Sequence, residues 1–310
     1  MKTAIVGSGF IGQAWAIVFA RGGCQVKMWD ANVQSLSQAH ELVVRQIREL
    51  ESRGLLRDAE AAIARVSTVN TLEEVLADVD YVQESVPERV EIKRELYARL
   101  DTLAAPDVII ASSTSSIPAS AFTENLATRA RCLVAHPVNP PYLIPVVELC
   151  GAPWTSADVV SRTREFMASV GQKPVNVNKE VEGFVLNRLQ GALLREAFRL
   201  VESGVVSAED LDVTVKDGLG LRWSFMGPFE TIDLNAPDGV HDYCARYGGM
   251  FQRMALEQTN TDPWSDELVR EVDQQRRQLL PKQALAERRL WRDDRLMALM
   301  RHKNDVEDPV

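Results

Sequence analysis

His136 and Glu148 have the residue types and spacing of a proton-transfer pair. His136 follows an apolar run at residues 132–135 and precedes a proline-rich loop. The run predicts a strand, and open α/β sheets bind ligands at the carboxyl ends of their strands. Glu148 lies near the end of a second apolar run, where a carboxylate is costly to bury without a partner. We therefore expect His136 to act as a general base that Glu148 orients through its Nδ1–H.

The other three histidines have no comparable setting. His40 lies among polar residues, His241 lies in a helical pattern, and His302 lies near the C-terminus. A solvated or structural role is expected for all three.

Five hydroxyl side chains follow another predicted strand, residues 108–111; they are Ser112, Ser113, Thr114, Ser115 and Ser116. The turn before Pro118 needs one or two such hydroxyls as caps. Five exceed that need. Because this run also lies at a carboxyl end of the sheet, it predicts hydroxyl groups for binding or catalysis.

A glycine pattern suited to phosphate binding opens the chain, Gly7-Ser8-Gly9-Phe10-Ile11-Gly12. It matches G-x-G-x-x-G, follows an apolar strand pattern and begins an apolar helix, which is the context that the motif requires. Gly7 permits the tight turn, Gly9 lets the backbone approach a pyrophosphate, and Gly12 lets the helix pack closely on the strand. The free N–H groups at the helix start attract the anion. The pattern predicts a dinucleotide site that includes Phe10 and Ile11.

Asp30 lies 18 residues after Gly12, at the end of the second predicted strand. An acid there accepts hydrogen bonds from ribose hydroxyls and repels a 2′-phosphate, so NAD is favoured over NADP. The alternative is a glycine-rich turn with an incidental aspartate. Together with a base and hydroxyl donors, a nicotinamide cofactor predicts the oxidation of an alcohol.

Other chemistries lack their motifs. The sequence contains no G-x-S-x-G elbow, no H-E-x-x-H or similar metal-ligand spacing, and no G-K-[ST] after the glycines, so no metal site is expected. No two cysteines have the C-x-x-C spacing of a zinc or redox pair. We expect Cys24 and Cys132 to be buried, reduced thiols.

The composition is that of an ordinary globular protein, with 45% apolar and 25% charged residues. A length of 310 residues suggests two domains. The net charge of −9 provides no general attraction to nucleic acid or to an anionic membrane. No targeting segment and no apolar stretch of the ~20 residues of a membrane span are visible, so a cytoplasmic location is expected.

Strand and helix patterns alternate in the first half of the chain, which predicts a Rossmann-type, mainly parallel α/β sheet. Strands are predicted at residues 3–6, 26–29, 66–69, 81–83, 108–111, 132–135 and 146–149. A helical excursion is predicted at residues 34–64, with an apolar face formed by Leu36, Leu42, Val43, Ile47 and Leu50.

From Gly183 onward nearly every pattern is helical. The segment 184–201 is the most periodic, and its apolar face consists of Phe184, Leu186, Leu189, Leu193, Ala197 and Leu200. Further helices are predicted at residues 208–216, 227–235, 238–257, 265–279 and 283–300. We therefore expect an NAD-binding domain at residues 1–182 and an all-helical substrate and dimerisation domain at residues 183–310, with a frayed end at 305–310.

Several motifs in sequence order resemble those of the 3-hydroxyacyl-CoA dehydrogenase superfamily. Besides the glycine pattern they are Pro87-Glu88 with Lys93, Ser113-Thr114-Ser115-Ser116, His136 with Asn139-Pro140, Val147-Glu148-Leu149, Gly183-Phe184-Val185-Leu186-Asn187-Arg188 and Gly227-Pro228-Phe229-Glu230. Within the superfamily the chain resembles the group of lambda-crystallin and L-gulonate 3-dehydrogenase, through residues 135–141, 217–223 and 291–293.

The resemblance implies a role for each matching residue of the reaction centre. His136 matches the catalytic base and Glu148 its acidic partner. Ser115 matches the serine that bonds to the reacting oxygen. Asn187 matches the asparagine that helps to hold the substrate and the histidine.

The resemblance also extends to the cofactor and the assembly. Asp30 matches the acid that binds the NAD ribose, and Glu88 and Lys93 match positions near the nicotinamide end. The helical domain of the family usually forms the dimer contact, so a homodimer is expected.

Two departures bear on the substrate. Acyl-CoA members usually carry aromatic residues directly after the histidine and often Pro-Met after Asn-Pro, whereas Pro137-Val138 and Pro141-Tyr142 stand here. Arg222 lies in a glycine-rich, aromatic segment and can bind a small carboxylate in bidentate fashion. The alternative for Arg222 is an ion pair with Asp217 or Glu230.

The expected substrate is therefore a small 3-hydroxy acid, with L-gulonate as the first choice. L-Carnitine is the next, because the resemblance implies that carnitine dehydrogenases share this fold and the Arg-Trp pair at residues 222–223. A quaternary ammonium group needs an aromatic box, which Trp223, Phe225 and Tyr142 can form; apolar packing explains these three residues equally well. A short (S)-3-hydroxyacyl-CoA, such as 3-hydroxybutyryl-CoA, is the third. The contrasting class is an abundant structural protein without enzymatic activity, which would need neither His136 nor Glu148.

Overall fold

The computed structural model describes residues 1–306, so residues 307–310 of the predicted frayed end lie outside the described part. Eight strands form one sheet: β1 Lys2–Val6, β2 Gln25–Trp29, β3 Val66–Thr68, β4 Tyr81–Glu84, β5 Ile109–Ser112, β6 Cys132–Pro137, β7 Val146–Gly151 and β8 Lys173–Val177. Their order is β3-β2-β1-β4-β5-β6-β7-β8, and every neighbouring pair is parallel except β6 and β7. The predicted Rossmann-type, mainly parallel sheet is confirmed.

Burial on both faces of the sheet explains why most strands are continuous apolar runs. In β1, Ile5 belongs to one core cluster, whereas Ala4 and Val6 belong to the cluster on the other face. The edge strand β8 is different, because most of it is exposed or half-buried and it lacks such a run. For this reason the sequence indicates seven strands and the structure has eight.

Seven α-helices lie between the strands: α1 Phe10–Arg21, α2 Val33–Ser52, α3 Ala59–Ile63, α4 Leu72–Leu76, α5 Val90–Leu103, α6 Ser120–Thr123 and α7 Ala157–Ser169. The predicted excursion corresponds to α2 and α3, and α2 buries Leu36, Val43, Ile47 and Leu50. Leu42 was expected on the same face and is instead 38% exposed. Adjacent helical positions lie about 100° apart, so Leu42 and Val43 point in different directions.

The chain divides into two compact units, Met1–Arg188 with the segment from Leu290 onward, and Leu189–Arg289. The later helices are α8 Leu186–Glu202, α9 Ala208–Val213, α10 Gly220–Trp223, α11 Pro228–Leu234, α12 Gly239–Glu257, α13 Asp266–Leu279 and α14 Leu285–Asp305, with a π-helical segment Thr214–Leu219 before α10. The predicted helical character of this part is confirmed. The domain boundary expected near residue 182 stays a prediction.

The end of α14 packs within the first unit. Met297 is buried in the core cluster that contains Val43 and Ile47. Asp294 pairs with Arg53 at 2.7 Å. Among residues 1–306, no helix has the length and apolar character needed to cross a membrane.

Candidate active site

The turn from β1 into α1 can be built only with glycine at two positions. Gly7 has φ +100°, and a Cβ there would lie 2.7 Å from the carbonyl oxygen of Ser85. A Cβ on Gly12 would lie 1.9 Å from the Gly7 oxygen, whereas Gly9 has open space around its Cα. No side chain caps the start of α1, so its first N–H groups remain available to an anion.

This turn opens on a cleft of about 1000 Å³, whose lining includes Gly7, Gly9, Phe10, Ile11, Asp30 and Leu42. Asp30 Oδ2 accepts hydrogen bonds from the Ser8 backbone N–H at 2.7 Å and from the Ser8 hydroxyl at 2.9 Å. Its Oδ1 accepts from the N–H of Asn32 at 2.9 Å. The acid is thus fixed at the end of β2, and the cleft has the glycine cradle, helix start and carboxylate that a dinucleotide requires.

His136 and Glu148 lie opposite each other in the antiparallel pair of β6 and β7. Glu148 Oε2 lies 2.8 Å from His136 Nδ1, and both side chains are buried. The ring of Phe184 lies 5.5 Å from the imidazole ring, centroid to centroid. The register of two strands thereby produces the buried His–Glu contact and leaves Nε2 as the ring nitrogen that can receive a proton.

Glu148 also joins β7 to the start of α8. Its Oε1 accepts hydrogen bonds from the N–H groups of Val185 at 2.8 Å and Leu186 at 2.9 Å. Burial raises the pKa of Glu148, but the hydrogen bonds from His136 and from these two N–H groups outweigh it, so the pKa lies below its usual value of 4.5. Glu148 therefore stays ionised beside the imidazole.

The five hydroxyl groups at and after the end of β5 make different contacts. Ser112 donates to Glu84 Oε2 at 2.6 Å. Thr114 and Ser116 each donate to Glu88 Oε1 at 2.9 Å, and Ser113 lies in a network below the run. Within residues 1–306, the Ser115 hydroxyl has no hydrogen-bond partner, and it is thus the member of the run left for a ligand.

Asn187 lies in the first turn of α8 and meets this run. Its Nδ2 donates to the carbonyl oxygen of Ser115 at 2.9 Å. The amide therefore fixes the loop that presents the Ser115 hydroxyl. Glu148 binds the N–H groups of the two residues just before Asn187. Hydrogen bonds therefore connect Glu148, through the start of α8 and Asn187, to the loop of Ser115.

The two residues expected near the nicotinamide end lie in different settings. Glu88 accepts hydrogen bonds from the run through one carboxylate oxygen, and burial, which raises its pKa, is outweighed by those bonds, so its pKa is lowered. Lys93 is 1% exposed, and its Nζ lies 2.8 Å from each oxygen of Glu84. Neither residue lines the cleft described above, and their contact with a cofactor stays a prediction.

Glu84 is one residue of this region that the sequence pattern did not single out. It ends β4, is fully buried, and is paired in register with Ser112 of β5. The signal was present, because an acid at the end of a buried strand needs a cation, and Lys93 follows on the next helix.

Arg222 lies on α10 in the second unit and is exposed. The expected alternative, an ion pair with Asp217 or Glu230, is not formed: Asp217 pairs with Lys216 at 3.1 Å. Within residues 1–306, no three His, Cys, Asp or Glu side chains lie together as metal ligands would.

The sheet, the glycine cradle and the buried His–Glu pair define a dinucleotide-dependent oxidoreductase. The chain belongs to the 3-hydroxyacyl-CoA dehydrogenase family. The family's NAD binding domain matches residues 2–181, and its C-terminal domain matches residues 183–278. The cofactor is therefore NAD, and the reaction is the NAD-dependent oxidation that characterises this family.

Individual relatives cover almost the whole chain. Lambda-crystallin of Oryctolagus cuniculus is 41% identical over 98% of this chain and 96% of its own length. An L-carnitine dehydrogenase of a Pseudomonas species is 36% identical over 96% of this chain and 92% of its own. The crystal structure of an NAD+-dependent 5-formyl-3-hydroxy-2-methylpyridine 4-carboxylic acid 5-dehydrogenase superposes with a TM-score of 0.83 at 28% identity, covering 97% of both chains.

Proposed function

We propose that this protein oxidises the 3-hydroxyl group of a small 3-hydroxy acid, with L-gulonate as the substrate and 3-dehydro-L-gulonate as the product. The observation that carries the reaction type is the buried 2.8 Å contact between His136 Nδ1 and Glu148 Oε2. NAD, held at the glycine cradle and Asp30, would supply the acceptor for the hydride that leaves the substrate carbon. The chain itself must remove the hydroxyl proton and hold the oxygen.

His136 is the proposed base. With Nδ1–H donated to Glu148, the lone pair of the neutral ring is on Nε2, which takes the substrate hydroxyl proton as the carbonyl group forms. The ionised Glu148 stabilises the imidazolium that results. The proton returns to solvent when the product leaves.

Ser115 and Asn187 are proposed to position the reacting oxygen. The Ser115 hydroxyl, which has no partner among residues 1–306, can donate to that oxygen. Asn187 holds the Ser115 backbone through its 2.9 Å hydrogen bond. A donor placed before the reaction begins stabilises the oxygen without a reorganisation cost.

Two points support a small carboxylate substrate. The loop after His136 lacks the aromatic residues that the resemblance associates with acyl-CoA members. Arg222 forms no ion pair within the described residues and is the proposed ligand for the carboxylate. The similarity to lambda-crystallin, in the group that contains L-gulonate 3-dehydrogenase, supports L-gulonate.

L-Carnitine is the second candidate, because an L-carnitine dehydrogenase is 36% identical over 96% of the chain. The aromatic box expected for it is incomplete. Tyr142 is only 7% exposed and lies in the core, so it is not available to a ligand. Trp223 and Phe225 remain exposed, at 40% and 65%.

Initial rates of NAD reduction with L-gulonate, L-carnitine and L-3-hydroxybutyryl-CoA test the proposal. The highest kcat/KM is expected with L-gulonate, and Arg222→Met should raise its KM. Turnover of L-carnitine alone or of the CoA ester alone would refute L-gulonate as the substrate, but it would still agree with the oxidation of a 3-hydroxyl group.

The variant His136→Ala tests the catalytic assignment against a purely structural role. We expect a loss of about 100- to 10,000-fold in kcat, the usual contribution of a general base. His302→Ala, which changes an exposed histidine of α14, is the matched control. Equal activity of both variants would refute the role of His136.

A further inference from the structure

A hydrogen-bond network lies beneath the cleft and is centred on Ser113. Its Oγ receives the indole N–H of Trp15 at 3.1 Å and the Nε2 group of Gln83 at 2.7 Å. It also lies 2.9 Å from the hydroxyl oxygen of Ser85. Trp15 and Gln83 are both fully buried, so water cannot substitute for these contacts.

The orientation of the Gln83 amide follows from its neighbours. Nε2 lies 3.4 Å from the carbonyl oxygen of Ala135, which can only accept. Oε1 receives the phenol hydroxyl of Tyr81 at 2.9 Å. The amide group must therefore present its N–H to Ser113.

Counting donors and acceptors then fixes the Ser85 proton. A hydroxyl group has one proton and two acceptor sites. Trp15 and Gln83 occupy both acceptor sites of Ser113, so Ser113 must donate its own proton to Ser85. The Ser85 proton has no acceptor within residues 1–306, and Ser85 lines the cleft.

The order of the strands shows which part of a dinucleotide this proton meets. Along the carboxyl edge, Asp30 follows β2, Gly7 follows β1, Ser85 follows β4, and His136 lies on β6. A cofactor with its adenosine ribose at Asp30 and its phosphates at Gly7 continues toward β4. Ser85 thus lies on the side of the phosphate cradle where the reacting half of the cofactor must lie.

We propose that Ser85 is a cofactor-positioning residue that donates a hydrogen bond to an oxygen in the nicotinamide half of NAD, with the proton direction imposed by Ser113. In this network the Ser85 oxygen accepts one hydrogen bond, from Ser113, and the Ser85 proton remains for donation to a bound ligand. Such a donor can bind a ribose or a phosphate oxygen, since both can accept a hydrogen bond. The proposal depends on the NAD cofactor and is independent of the substrate.

Calorimetric titration of NADH and of AMP into the variant Ser85→Ala tests this, because AMP carries the adenosine half alone. We expect the Kd of NADH to rise about five- to tenfold, the usual effect of one lost hydrogen bond, while that of AMP is unchanged. The variant Ser85→Cys has nearly the same shape and only a weak donor, so it should give the same loss without a packing change. Ser85→Thr keeps the hydroxyl and should bind NADH as the native protein does.

Two results of these titrations would overturn the proposal. A rise of less than threefold for NADH in both Ser85→Ala and Ser85→Cys would overturn the proposal. An equal loss of NADH and AMP would also overturn it, because the effect would then concern the adenosine half or the fold. No substrate is present in these titrations, so the result leaves the proposed oxidation of L-gulonate untouched.

Discussion

At the scale of single residues, the Glu148 carboxylate makes two kinds of contact, one with each of its oxygens. One oxygen holds the imidazole of His136 and the other accepts the N–H groups that begin α8. A neutral side chain of similar shape keeps part of the geometry and loses the charge. Glu148 is thus expected to influence both catalysis and stability.

The variant Glu148→Gln should reveal that charge through pH. The folded pKa of Glu148 lies below the usual 4.5, so its stabilisation is present above that pH and is lost as the pH falls through the lowered value. At pH 7 the variant should be less stable by about 1–3 kcal/mol. Urea unfolding of both proteins from pH 7 to pH 3 measures the gap, which should narrow below 4.5. A gap that stays constant would contradict this account.

Ser115 and Ser116 form a matched pair for separating catalysis from stability. The Ser115 hydroxyl has no partner in the described chain, so Ser115→Ala should lower kcat by about 100-fold and leave the melting temperature unchanged. The Ser116 hydroxyl donates to Glu88, so Ser116→Ala should cost about 1 kcal/mol of stability and little activity. Steady-state kinetics and thermal melts of both variants test this assignment. A loss of stability in Ser115→Ala together with a loss of kcat in Ser116→Ala would contradict it.

At the scale of elements, the ion pair of Glu84 and Lys93 joins β4 to α5, and Ser112 adds β5. Both charged groups are out of water. Such a pair contributes little compared with apolar residues of the same shape, but removal of one partner leaves a buried charge uncompensated. The contact among β4, α5 and β5, at the start of the hydroxyl run, therefore depends on both charged groups.

The variant Lys93→Met should lower the free energy of unfolding by about 3–5 kcal/mol. The double variant Glu84→Gln with Lys93→Met removes the stranded charge and should recover a large part of the loss. Arg48→Met breaks the exposed pair with Glu60 and should cost about 0–1 kcal/mol. Urea unfolding compares the three, and equal losses for Lys93→Met and Arg48→Met would contradict the role of burial.

Most elements could be predicted because apolar runs and helical periodicity are local signals. The start of α8 was misplaced by two residues because Phe184 has φ +49°, a left-handed conformation that periodicity does not reveal. The contact of His136 with Glu148 was predicted from type and spacing. The networks of Ser113 and Glu84 were not, because they depend on the spatial order β1-β4-β5, which the chain order does not give.

At the scale of the whole molecule, α12 carries an apolar stripe that nothing in the described chain covers. Cys244, Tyr247, Phe251 and Met254 follow the spacing of one helix face, and all four are exposed. The helix has 19 residues and buries none of them. An apolar stripe of this length favours a contact with another chain, and the homodimer that we expect from the family resemblance would supply one.

Cys244 provides a direct reporter for that homodimer. The thiols of Cys24, Cys132 and Cys150 are buried, and burial raises the pKa of Cys132 to about 12 and that of Cys150 to about 11, so in the native protein only Cys244 should react with a chromogenic thiol reagent. If two α12 stripes meet, its rate should fall as protein concentration rises. Phe251→Asp should remove that dependence and shift sedimentation toward the monomer, whereas Gln252→Asp, one position off the stripe, should not. A rate that is independent of concentration in a sedimenting dimer would place the contact on a different face.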